Sequence, residues 1–342
     1  MIALVLFVVL IILIMLGVPV GFALGGATII IMQLFTNLDL SMVASYSVTG
    51  VDSLTMMAIP FFILSGVVMS VGGLARRLVD VAASLVGWMM GGLGAVVSLA
   101  SMFFGAISGS SLATVSCIGG IMVPEMQKKG YDLGYSAVFT ACAGTIGAVI
   151  PPSIPLVVYG VCTSTSIGDL FLGGIFPGIM IGIALIISNY IICKKKGYVG
   201  AERKSVWEIL KAIWEAKWAL FAPVIILGGI YSGIFTPTEA SVVSVVYSTI
   251  VALFIYREIT WIDLYHAIVG AAVTNGTTTF LLGLSTAFAA LLSFEQIPAM
   301  LTSAIINFTD NKFLFLMLVN VILLIIGCFI DNIPATTFLA PM

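Results

Sequence analysis

The chain has little of the charge that a soluble protein needs at its surface. Only 8% of its 342 residues are charged, and the net charge at pH 7 is −2. A soluble domain of this length covers its surface with many more charged side chains. The sequence also lacks a basic patch of the kind that a nucleic-acid-binding protein needs. These two absences exclude a soluble globular protein and a nucleic-acid binder.

Histidine and cysteine are scarce as well. The chain has one histidine, His266, and five single cysteines. Zinc sites and disulfide frameworks need closer or paired spacings, so we interpret the cysteines as inert thiols within apolar segments. An intramembrane enzyme would need a cluster such as His/Glu pairs on one helix. An aspartyl hydrolase would need two facing membrane aspartates, and only Asp331 qualifies. We therefore predict that the protein is not an enzyme.

Apolar residues are abundant instead. They make up 61% of the chain, and the mean hydropathy is +1.23. This composition predicts a multi-pass membrane protein. The first apolar run, 3–32, lacks a basic region at its start and continues past Gly17-Val18-Pro19, so it predicts a first transmembrane helix rather than a cleaved signal peptide. The other predicted spans are 55–74, 133–165, 170–193, 218–235, 240–256 and 265–290, with further apolar stretches at 91–127 and 311–342.

The lysines and arginines give the topology. If Lys194, Lys195 and Lys196 are cytoplasmic, alternation of the spans puts most other basic residues on the same side. Lys128 and Lys129 join them only if 91–127 enters the membrane and returns. With 91–127 as a re-entrant hairpin, twelve of the thirteen Lys and Arg residues are inside. We therefore predict such a hairpin, and backbone that turns at membrane depth must line a wet cavity or be buried in protein.

Two stretches of similar pattern lie far apart in the chain. GAISGSSLATVSCIGGIMVP (105–124) puts glycines and serines between apolar helices, and GCFIDNIPATTFLAP (327–341) has a comparable order of small, polar and proline residues. In the second half the segment SFEQIPAMLTSAIINFTD (293–310) precedes the motif, as an amphipathic segment precedes the first. The charge rule puts the two hairpins on opposite sides. Inverted repeats with broken segments at corresponding positions predict a secondary transporter with a site at the midplane.

A broken helix follows the first hairpin. In GTIGAVIPPSIPLVVYG (144–160), Pro151 and Pro152 cannot donate backbone hydrogen bonds, so the helix must break there. Free carbonyls at such a break can bind Na⁺, and the amide end of a half-helix favours a carboxylate. The second half stops before any counterpart. We expect that the chain lacks one more hairpin arm and one or two helices.

Two amphipathic segments carry tryptophans. Residues 74–90 and 203–218 have apolar residues at helical spacing with charges on the other face. This pattern predicts helices in the cytoplasmic interface, with Trp88, Trp207 and Trp214 among the anchors. Simple connector helices and a scaffold role both remain open.

The motifs together resemble the large membrane subunit of the TRAP (tripartite ATP-independent periplasmic) transporters, the DctM-like permeases of the ion-transporter superfamily. The resemblance covers the whole chain. It rests on the segments GVPVGFALG, MAIPFFILSG, GAISGSSLATVSCIGGIMVPEM, GTIGAVIPPSIPLVVYG, GIFTPTEAS and the DN-IPA motif at 331–335. Members of this family usually continue some tens of residues past the second hairpin, which agrees with a C-terminal truncation.

The resemblance implies a fold and a function. The fold is an all-α polytopic membrane protein with inverted-topology repeats, two re-entrant helical hairpins and interfacial arm helices, working as an elevator-type transporter. The function is Na⁺-coupled import of small organic acids, such as a C4-dicarboxylate or a sugar acid, across the bacterial inner membrane. A small four-helix membrane subunit and a periplasmic substrate-binding protein are the expected partners. No cofactor other than the coupling ion Na⁺ is expected.

The predicted domains follow this scheme. They are first-repeat scaffold helices and arm (1–90), first re-entrant hairpin and broken helix (91–165), connecting helices with an amphipathic helix (166–239), second-repeat scaffold helices and arm (240–310), and an incomplete second hairpin (311–342).

The candidate site has two parts. The first tip and broken helix would form a sodium and substrate region from Ser108, Gly109, Ser110, Ser111, Thr145, Gly147, Pro151, Pro152 and Ser153. The second tip would contribute Asp331, Asn332, Thr336 and Thr337. An intramembrane carboxylate is costly and usually functional. Helix packing is the alternative for the small residues, and a position at the membrane interface is the alternative for Asp331.

Other polar residues have simpler interpretations. Thr236, Pro237 and Glu239 form a helix-start pattern. Glu125 is interpreted as a solvated helix cap near Lys128. A stand-alone ion-coupled anion carrier or antiporter of the same superfamily is the alternative function, and a channel is disfavoured because inverted broken helices suit an occluding site.

Overall fold

The computed structural model describes residues 2–300, 303 and 311–340. Those residues form helices and no strands, as the sequence predicts for an all-α membrane protein. The chain divides into two compact units. Unit 1 contains Met1–Met56, Val158–Thr165 and Asn275–Met342, and unit 2 contains Met57–Val157 and Ser166–Thr274. The predicted five-part division into scaffold and transport segments stays a prediction.

The helices in chain order are α1 (Ile2–Met15), α2 (Val20–Phe35), α3 (Ser41–Thr49), α4 (Ala58–Val71), α5 (Leu74–Val86), α6 (Gly92–Ser108), α7 (Ser111–Lys128), α8 (Leu133–Gly144), α9 (Ile154–Thr163), α10 (Ile167–Lys196), α11 (Val206–Glu215), α12 (Lys217–Tyr231), α13 (Pro237–Ile250), α14 (Trp261–Phe294), α15 (Lys312–Gly327) and α16 (Asn332–Leu339). A 3₁₀ turn (Thr145–Ala148) follows α8, and a π-helical turn (Val251–Ile255) follows α13.

Several helices are long and apolar enough to cross a membrane. By length and composition, three described segments qualify: Ile167–Lys196, Pro237–Ile255 and Trp261–Phe294. Up to five qualify if two bent pairs each count as one span. These pairs are α4 with α5, bent by 68°, and α11 with α12, bent by 61°. In both pairs the amphipathic member is one of the two predicted interfacial segments.

The prediction of one helix over 3–32 is wrong. The structure has two helices, α1 and α2, which pack against each other. Gly17 adopts φ +82°, and Pro19 precedes α2 without a side-chain cap. A left-handed residue followed by proline ends one helix and starts another. The correction leaves the charge argument unchanged, because Arg76 is the first basic residue of the chain.

Unit 1 has its own apolar core. Leu6 and Leu10 of α1 pack with Leu24 of α2 and with Phe288 of α14, all almost fully buried. Phe338 of α16 is 1% exposed and lies edge-on to Phe288, with ring centroids 5.4 Å apart. The burial of Phe338 fixes the short helix α16 to this core.

Unit 2 buries the apolar face of α5. Leu74, Leu78 and Ala82 are fully buried and belong to a core that includes Phe104 of α6. The predicted segment 74–90 is therefore helical, but a large part of its apolar face packs against protein rather than lipid.

The bend between α4 and α5 is tied to a distant part of unit 2. Gly73 has φ +74°, and Arg77 donates to its carbonyl at 3.0 Å. The same guanidinium pairs with Glu258 at 2.5 Å and lies 3.7 Å from the ring centroid of Tyr256. Tyr256 in turn donates to the carbonyl of Glu215 at 3.0 Å. Arg77 and Tyr256 therefore link the bend between α4 and α5 to the residues after α13 and to the end of α11.

Helix α10 presents a stripe of small residues to the helix break after α8 and to α6 of the first hairpin. A methyl group added at Gly174 would lie 2.7 Å from the carbonyl oxygen of Val149, and Gly178 and Gly182 directly face Ile150 and Met102. Such small residues let helix backbones approach closely in a membrane.

A buried amide closes one end of this stripe. Asn189 is fully buried, donates to the carbonyl of Gly91 at 2.9 Å and accepts from the hydroxyl of Tyr135 at 2.8 Å. Gly91 lies just before α6, and Tyr135 lies near the start of α8. The base of the hairpin and the helix after it are therefore fixed to α10.

One local prediction is confirmed, and another is confirmed in part. Thr236 and Glu239 form a reciprocal capping box at the start of α13, with Pro237 in the first turn. Glu125 is exposed, as predicted, and pairs with Lys128 at 2.7 Å, but it lies within α7 and does not cap it, since the C-cap is Lys129. Half of the predicted segment at 293–310, residues 301, 302 and 304–310, lies outside the described residues, as does Pro341.

Candidate functional site

The first candidate tip is a tight turn between two helices. Helix α6 ends at Ser108, Gly109 adopts φ +62°, and Ser110 is the N-cap of α7. The Ser110 hydroxyl accepts from the amide of Ala113 at 3.4 Å. Glycine is the residue that takes this left-handed conformation without strain. The helix–turn–helix predicted from the serine–glycine pattern is confirmed as local structure, while its re-entrant position in a bilayer stays a prediction.

Hydroxyl groups are concentrated behind this turn. Ser108 is 1% exposed, and its hydroxyl lies 3.2 Å from that of Thr114, which is fully buried. Thr114 also donates to the carbonyl of Ser110 at 2.8 Å. Gly66 of α4 leaves room for Ser108, since a methyl group there would lie 3.2 Å from the Ser108 Cβ. The tip therefore contains oxygen atoms that are buried and held in fixed positions.

The predicted helix break is present next to it. After α8 and the 3₁₀ turn, the chain passes through Pro151 and Pro152 before α9 starts at Ile154. The Ser153 hydroxyl donates to the carbonyl of Ala148 and accepts from the amide of Leu156 at 3.3 Å. Ser153 therefore satisfies one carbonyl on the incoming side of the break and caps the outgoing helix.

Prolines remove the donors that an unbroken helix would supply here. In an α-helix each carbonyl accepts from the amide four residues later. Prolines at 151, 152 and 155 deprive the carbonyls of residues 147, 148 and 151 of that donor. The Ser153 hydroxyl replaces it only for Ala148. Carbonyl oxygens at 147 and 151 are therefore without their ordinary helical donor.

The turn and the break touch each other within unit 2. The amide of Ile154 donates to the carbonyl of Gly109 at 3.0 Å. A methyl group at Gly109 would lie 2.5 Å from the Pro152 carbonyl oxygen, and one at Gly147 would clash with Thr114. Gly105 also lies close to Gly147, since a methyl group added at Gly105 would lie 2.8 Å from the Gly147 Cα. These contacts are the evidence that the predicted residues form one group.

Two helix starts meet at this group. Ser110 caps α7 and Ser153 caps α9, and the hydrogen bond between Gly109 and Ile154 joins the two starts. The first amides of a helix have no partner within it, and they carry the positive end of the helix dipole. Two adjacent helix starts favour an anion, while the buried hydroxyls and carbonyls supply oxygen ligands for a hard cation.

Not every predicted residue joins the group. Thr145 is exposed, and its hydroxyl donates to the carbonyl of Cys142 at 2.7 Å, so the structure gives it a local role. Ser111 is half-buried as the first residue of α7. Pro151 is buried and lies 3.8 Å from a methyl carbon placed on Gly174. Ser108, Gly109, Ser110, Gly147, Pro152 and Ser153 form the contacted set.

The second candidate tip lies in unit 1. Helix α15 ends at Gly327, and Asp331 is the N-cap of α16, accepting from the amide of Asn332 at 2.8 Å. Both residues are exposed. The motif is thus a helix–break–helix like the first one, with a carboxylate at the start of its second helix. The cap gives the Asp331 carboxylate a structural role at the start of α16.

The two threonines of this tip differ in environment. Thr337 is 4% exposed and donates to the carbonyl of Ile333 at 3.0 Å. It also lies within hydrogen-bonding reach of the Cys162 thiol at the end of α9. Thr336 is half-buried, and its carbonyl accepts from Ala340 at 2.9 Å.

Sequence reasoning missed Thr114 and Asn189. Thr114 follows the N-cap Ser110 by four residues, and that spacing was a usable signal, because a threonine there can bond back to the capping residue's carbonyl. Asn189 is an amide within an apolar span, which is costly unless its hydrogen bonds are satisfied. No group of three or more His, Cys, Asp or Glu side chains suited to a metal ion occurs among the described residues.

Comparison with known proteins gives a consistent result. Residues 7–342 match the family described as tripartite ATP-independent periplasmic transporter, DctM component. The chain is 42% identical over 327 residues to the isethionate TRAP transporter permease protein DctMQ of Oleidesulfovibrio alaskensis, an alignment that covers 95% of this chain and 52% of that protein. The chain therefore spans about half the length of that relative.

Two further relatives are large permease proteins. The sialic acid TRAP transporter large permease protein SiaM of Vibrio cholerae is 37% identical to this chain over 325 residues. The alignment covers 95% of this chain and 76% of that protein. The C4-dicarboxylate TRAP transporter large permease protein DctM of Pseudomonas aeruginosa is 42% identical to this chain over 288 residues. The alignment covers 84% of this chain and 67% of that protein.

These matches confirm the resemblance found in the motifs, and the family consists of transporters, not enzymes. The apolar helices agree with a multi-pass membrane protein. The chain belongs to the DctM family, the large permease component of the TRAP transporters.

Proposed function

We propose that the protein is the large permease component of a Na⁺-coupled importer of small organic acids. The observation that carries the proposal is the junction of two helix starts and a cluster of buried oxygens at the Ser108–Ser110 turn, in a chain of this family. At such a junction an anion and a cation can bind next to each other.

The anion side of the proposal rests on the paired helix starts. The names of the relatives specify isethionate, sialic acid and C4-dicarboxylate, which are all organic anions. The positive ends of both helix dipoles attract a carboxylate or sulfonate, and the first amides of α7 are the backbone donors in place for it, because the first amides of α9 bond to Gly109 and Ser153 and residue 155 is proline. Backbone recognition suits several substrates of this class. We therefore expect this chain and these relatives to share the architecture of the site, and the choice of substrate to depend partly on groups outside it.

The cation side rests on oxygen ligands. Hydroxyls at Ser108 and Thr114 and the carbonyls released by the prolines are neutral oxygen donors held in a buried place. Sodium is bound by such groups in transporters with broken helices. On the second tip, Asp331 would add a formal charge, with Asn332, Thr336 and Thr337 as neighbours in sequence.

The mechanism that we propose needs both tips. In this mechanism the first hairpin enters from the cytoplasm and the second from outside, as the charge rule predicts, and each tip contributes groups to substrate and Na⁺ binding. A transport domain that carries the hairpins moves against a scaffold, as an elevator. The bacterial inner membrane is the proposed location.

The proposed partners are a small four-helix membrane subunit and a periplasmic substrate-binding protein. The support is the tripartite description of the family and the names of the large permease proteins.

Uptake in proteoliposomes tests the function. The chain is reconstituted with the small subunit and the binding protein encoded beside it, and uptake of radiolabelled isethionate, sialic acid and succinate is measured with and without a Na⁺ gradient. We expect one acid to accumulate only when both Na⁺ and the binding protein are present. Uptake that is indifferent to both would contradict the proposal, and uptake that needs Na⁺ alone would favour a stand-alone carrier.

A further inference from the structure

Helix α11 carries an apolar face that nothing in the described part of the chain covers. Val206, Trp207, Leu210 and Trp214 are between 53% and 77% exposed, and no residue of α11 is buried. At 3.6 residues per turn these side chains share one side of the helix, and Glu208, Lys211 and Glu215 lie on the side next to it, about 120° away around the axis. The two half-buried residues, Ile209 and Ala212, lie on a third side, and α5 is the helix that packs most extensively along α11.

The bend after α11 and the sequence around it indicate that this face lies at a membrane boundary. Helix α12 starts at Lys217, two residues after α11 ends, and turns away by 61°. Its sequence from Ala219 onward is almost entirely apolar, so it enters the hydrocarbon core. The Lys217 ammonium lies 3.6 Å above the ring of Trp214 and 5.5 Å from that of Trp218. Tryptophans and a lysine at this position are typical of the water–lipid interface.

The surroundings of α11 are strongly basic. Residues 194–218 contain seven Lys and Arg and three Glu, a net charge of +4, although the whole chain has a net charge of −2. More than half of the thirteen basic residues therefore lie in these 25 positions. We call residues 194–218 the basic arm.

The basic arm is held against the protein and not left free. The amide of Ala201 donates to the carbonyl of Gly87 at 2.9 Å, and the Arg203 guanidinium lies 5.1 Å from the ring centroid of Trp88. At the other end, Tyr256 and Tyr247 donate to the carbonyls of Glu215 and Trp218 at 3.0 and 2.7 Å. The basic arm is therefore attached to the rest of unit 2 on both sides of α11.

We propose that the basic arm is a binding surface for anionic phospholipids in one leaflet of the membrane. The apolar face of α11 inserts among the acyl chains, and the lysines and arginines contact phosphate headgroups. Insertion of a basic amphipathic helix depends on both terms, burial of apolar area and attraction to anionic lipid. The inference goes beyond the proposed transport function and does not depend on it.

Fluorescence quenching by brominated lipids tests this surface directly. The chain has five tryptophans, so the triple variant Trp88→Phe, Trp218→Phe, Trp261→Phe leaves only Trp207 and Trp214, both on the exposed face. The chain, purified with its small subunit, is placed in nanodiscs with acyl-brominated phosphatidylcholine or phosphatidylglycerol at equal mole fraction. We expect quenching by both lipids, with phosphatidylglycerol several times more effective at low salt.

The charge dependence is the sharper part of the test. Neutralising one lysine near an anionic surface weakens lipid attraction by up to about fivefold. In the background Lys194→Gln, Lys195→Gln, Lys196→Gln the preference for phosphatidylglycerol should fall strongly, and about 0.5 M salt should abolish it by screening. Quenching by phosphatidylcholine should remain, which shows that the variant is folded and still inserted.

A matched control uses Trp261 as the remaining fluorophore. Trp261 is 67% exposed at the start of α14, close in sequence to a single basic residue, Arg257. It should be quenched without a preference for phosphatidylglycerol. Absence of quenching at Trp207 and Trp214 would show that a protein, whether a partner subunit or a second copy, covers the face, and would overturn the proposal. Equal quenching by the two lipids would overturn it as well.

Discussion

Replacement of Gly109 by alanine is the most direct perturbation of the first tip. Gly109 has φ +62°, in the left-handed region, and its carbonyl accepts the amide of Ile154 at 3.0 Å. A methyl group there would lie 2.5 Å from the carbonyl oxygen of Pro152. Because this neighbour is backbone, it cannot rotate away, and the turn and the helix break must move apart.

The expected cost follows from two contributions. An alanine in the left-handed conformation costs roughly 1–2 kcal/mol. Separation of the turn from the break weakens the hydrogen bond to Ile154, which is worth about 1 kcal/mol. Together they predict a loss of roughly 2–3 kcal/mol in the stability of the tip, enough to reduce its native geometry more than tenfold when the tip opens locally.

The matched control is Gly120→Ala in the same hairpin. Gly120 lies within α7, and a methyl group there meets no other atom within 4 Å. Helix propensity alone should make that variant as stable as the parent or more stable, by up to about 1 kcal/mol.

Hydrogen exchange of peptides covering 105–116, together with Na⁺-driven uptake in proteoliposomes, measures the effect. We expect faster exchange and at least about tenfold slower uptake for Gly109→Ala, with Gly120→Ala close to the parent. If both variants behave like the parent, the close approach of the turn to the break is not required, and the site argument fails.

Three further outcomes are expected. Thr114→Val removes a buried hydroxyl that donates to the carbonyl of Ser110, which costs about 1–3 kcal/mol, and it should raise the Na⁺ concentration needed for half-maximal uptake. The control is Thr140→Val, because the Thr140 hydroxyl has no partner among the described residues; this variant should leave that Na⁺ concentration unchanged. Asp331→Asn keeps a residue able to cap α16, so thermal stability should be retained while Na⁺-driven uptake is lost, and retained uptake would reduce Asp331 to a cap. The hydrogen bond from the Ser205 amide lowers the pKa of Glu208. The bond therefore stabilises the fold above the pKa that a glutamate has in the unfolded chain, about 4.3, and this stabilisation is lost as the pH falls. The melting temperature of the parent should drop more steeply at acid pH than that of Glu208→Gln, and identical pH profiles would contradict this.

Local sequence signals predicted much of the first tip. Gly109 between serines marked the turn, and Pro151 and Pro152 marked the break, because glycine and proline restrict the backbone directly. The pair Thr236 and Glu239 likewise predicted a helix start that the structure confirms. Each of these features depends on residues a few positions apart.

Features that depend on residues far apart in the chain could not be predicted from local sequence patterns. The break at Gly17 was missed since α1 is apolar on all sides, so its pattern has no face that would change direction. The contact of Arg77 with Glu258 and the role of Asn189 join segments about a hundred residues or more apart. The sequence indicates that such polar groups need partners but does not specify which ones.

The glycines of α10 have a consequence for motion along that helix. Gly174, Gly178 and Gly182 repeat every four residues, so a slide of about 6 Å along the axis with a rotation of about 40° would bring two of them onto the position of the next glycine. The absence of side chains at these positions lowers the resistance to such a slide, and the hydrogen bonds that join Asn189 to Gly91 and Tyr135 hold α10 in one register. In Asn189→Leu, cysteine cross-links engineered between α10 and α6 should therefore form in two registers one turn apart.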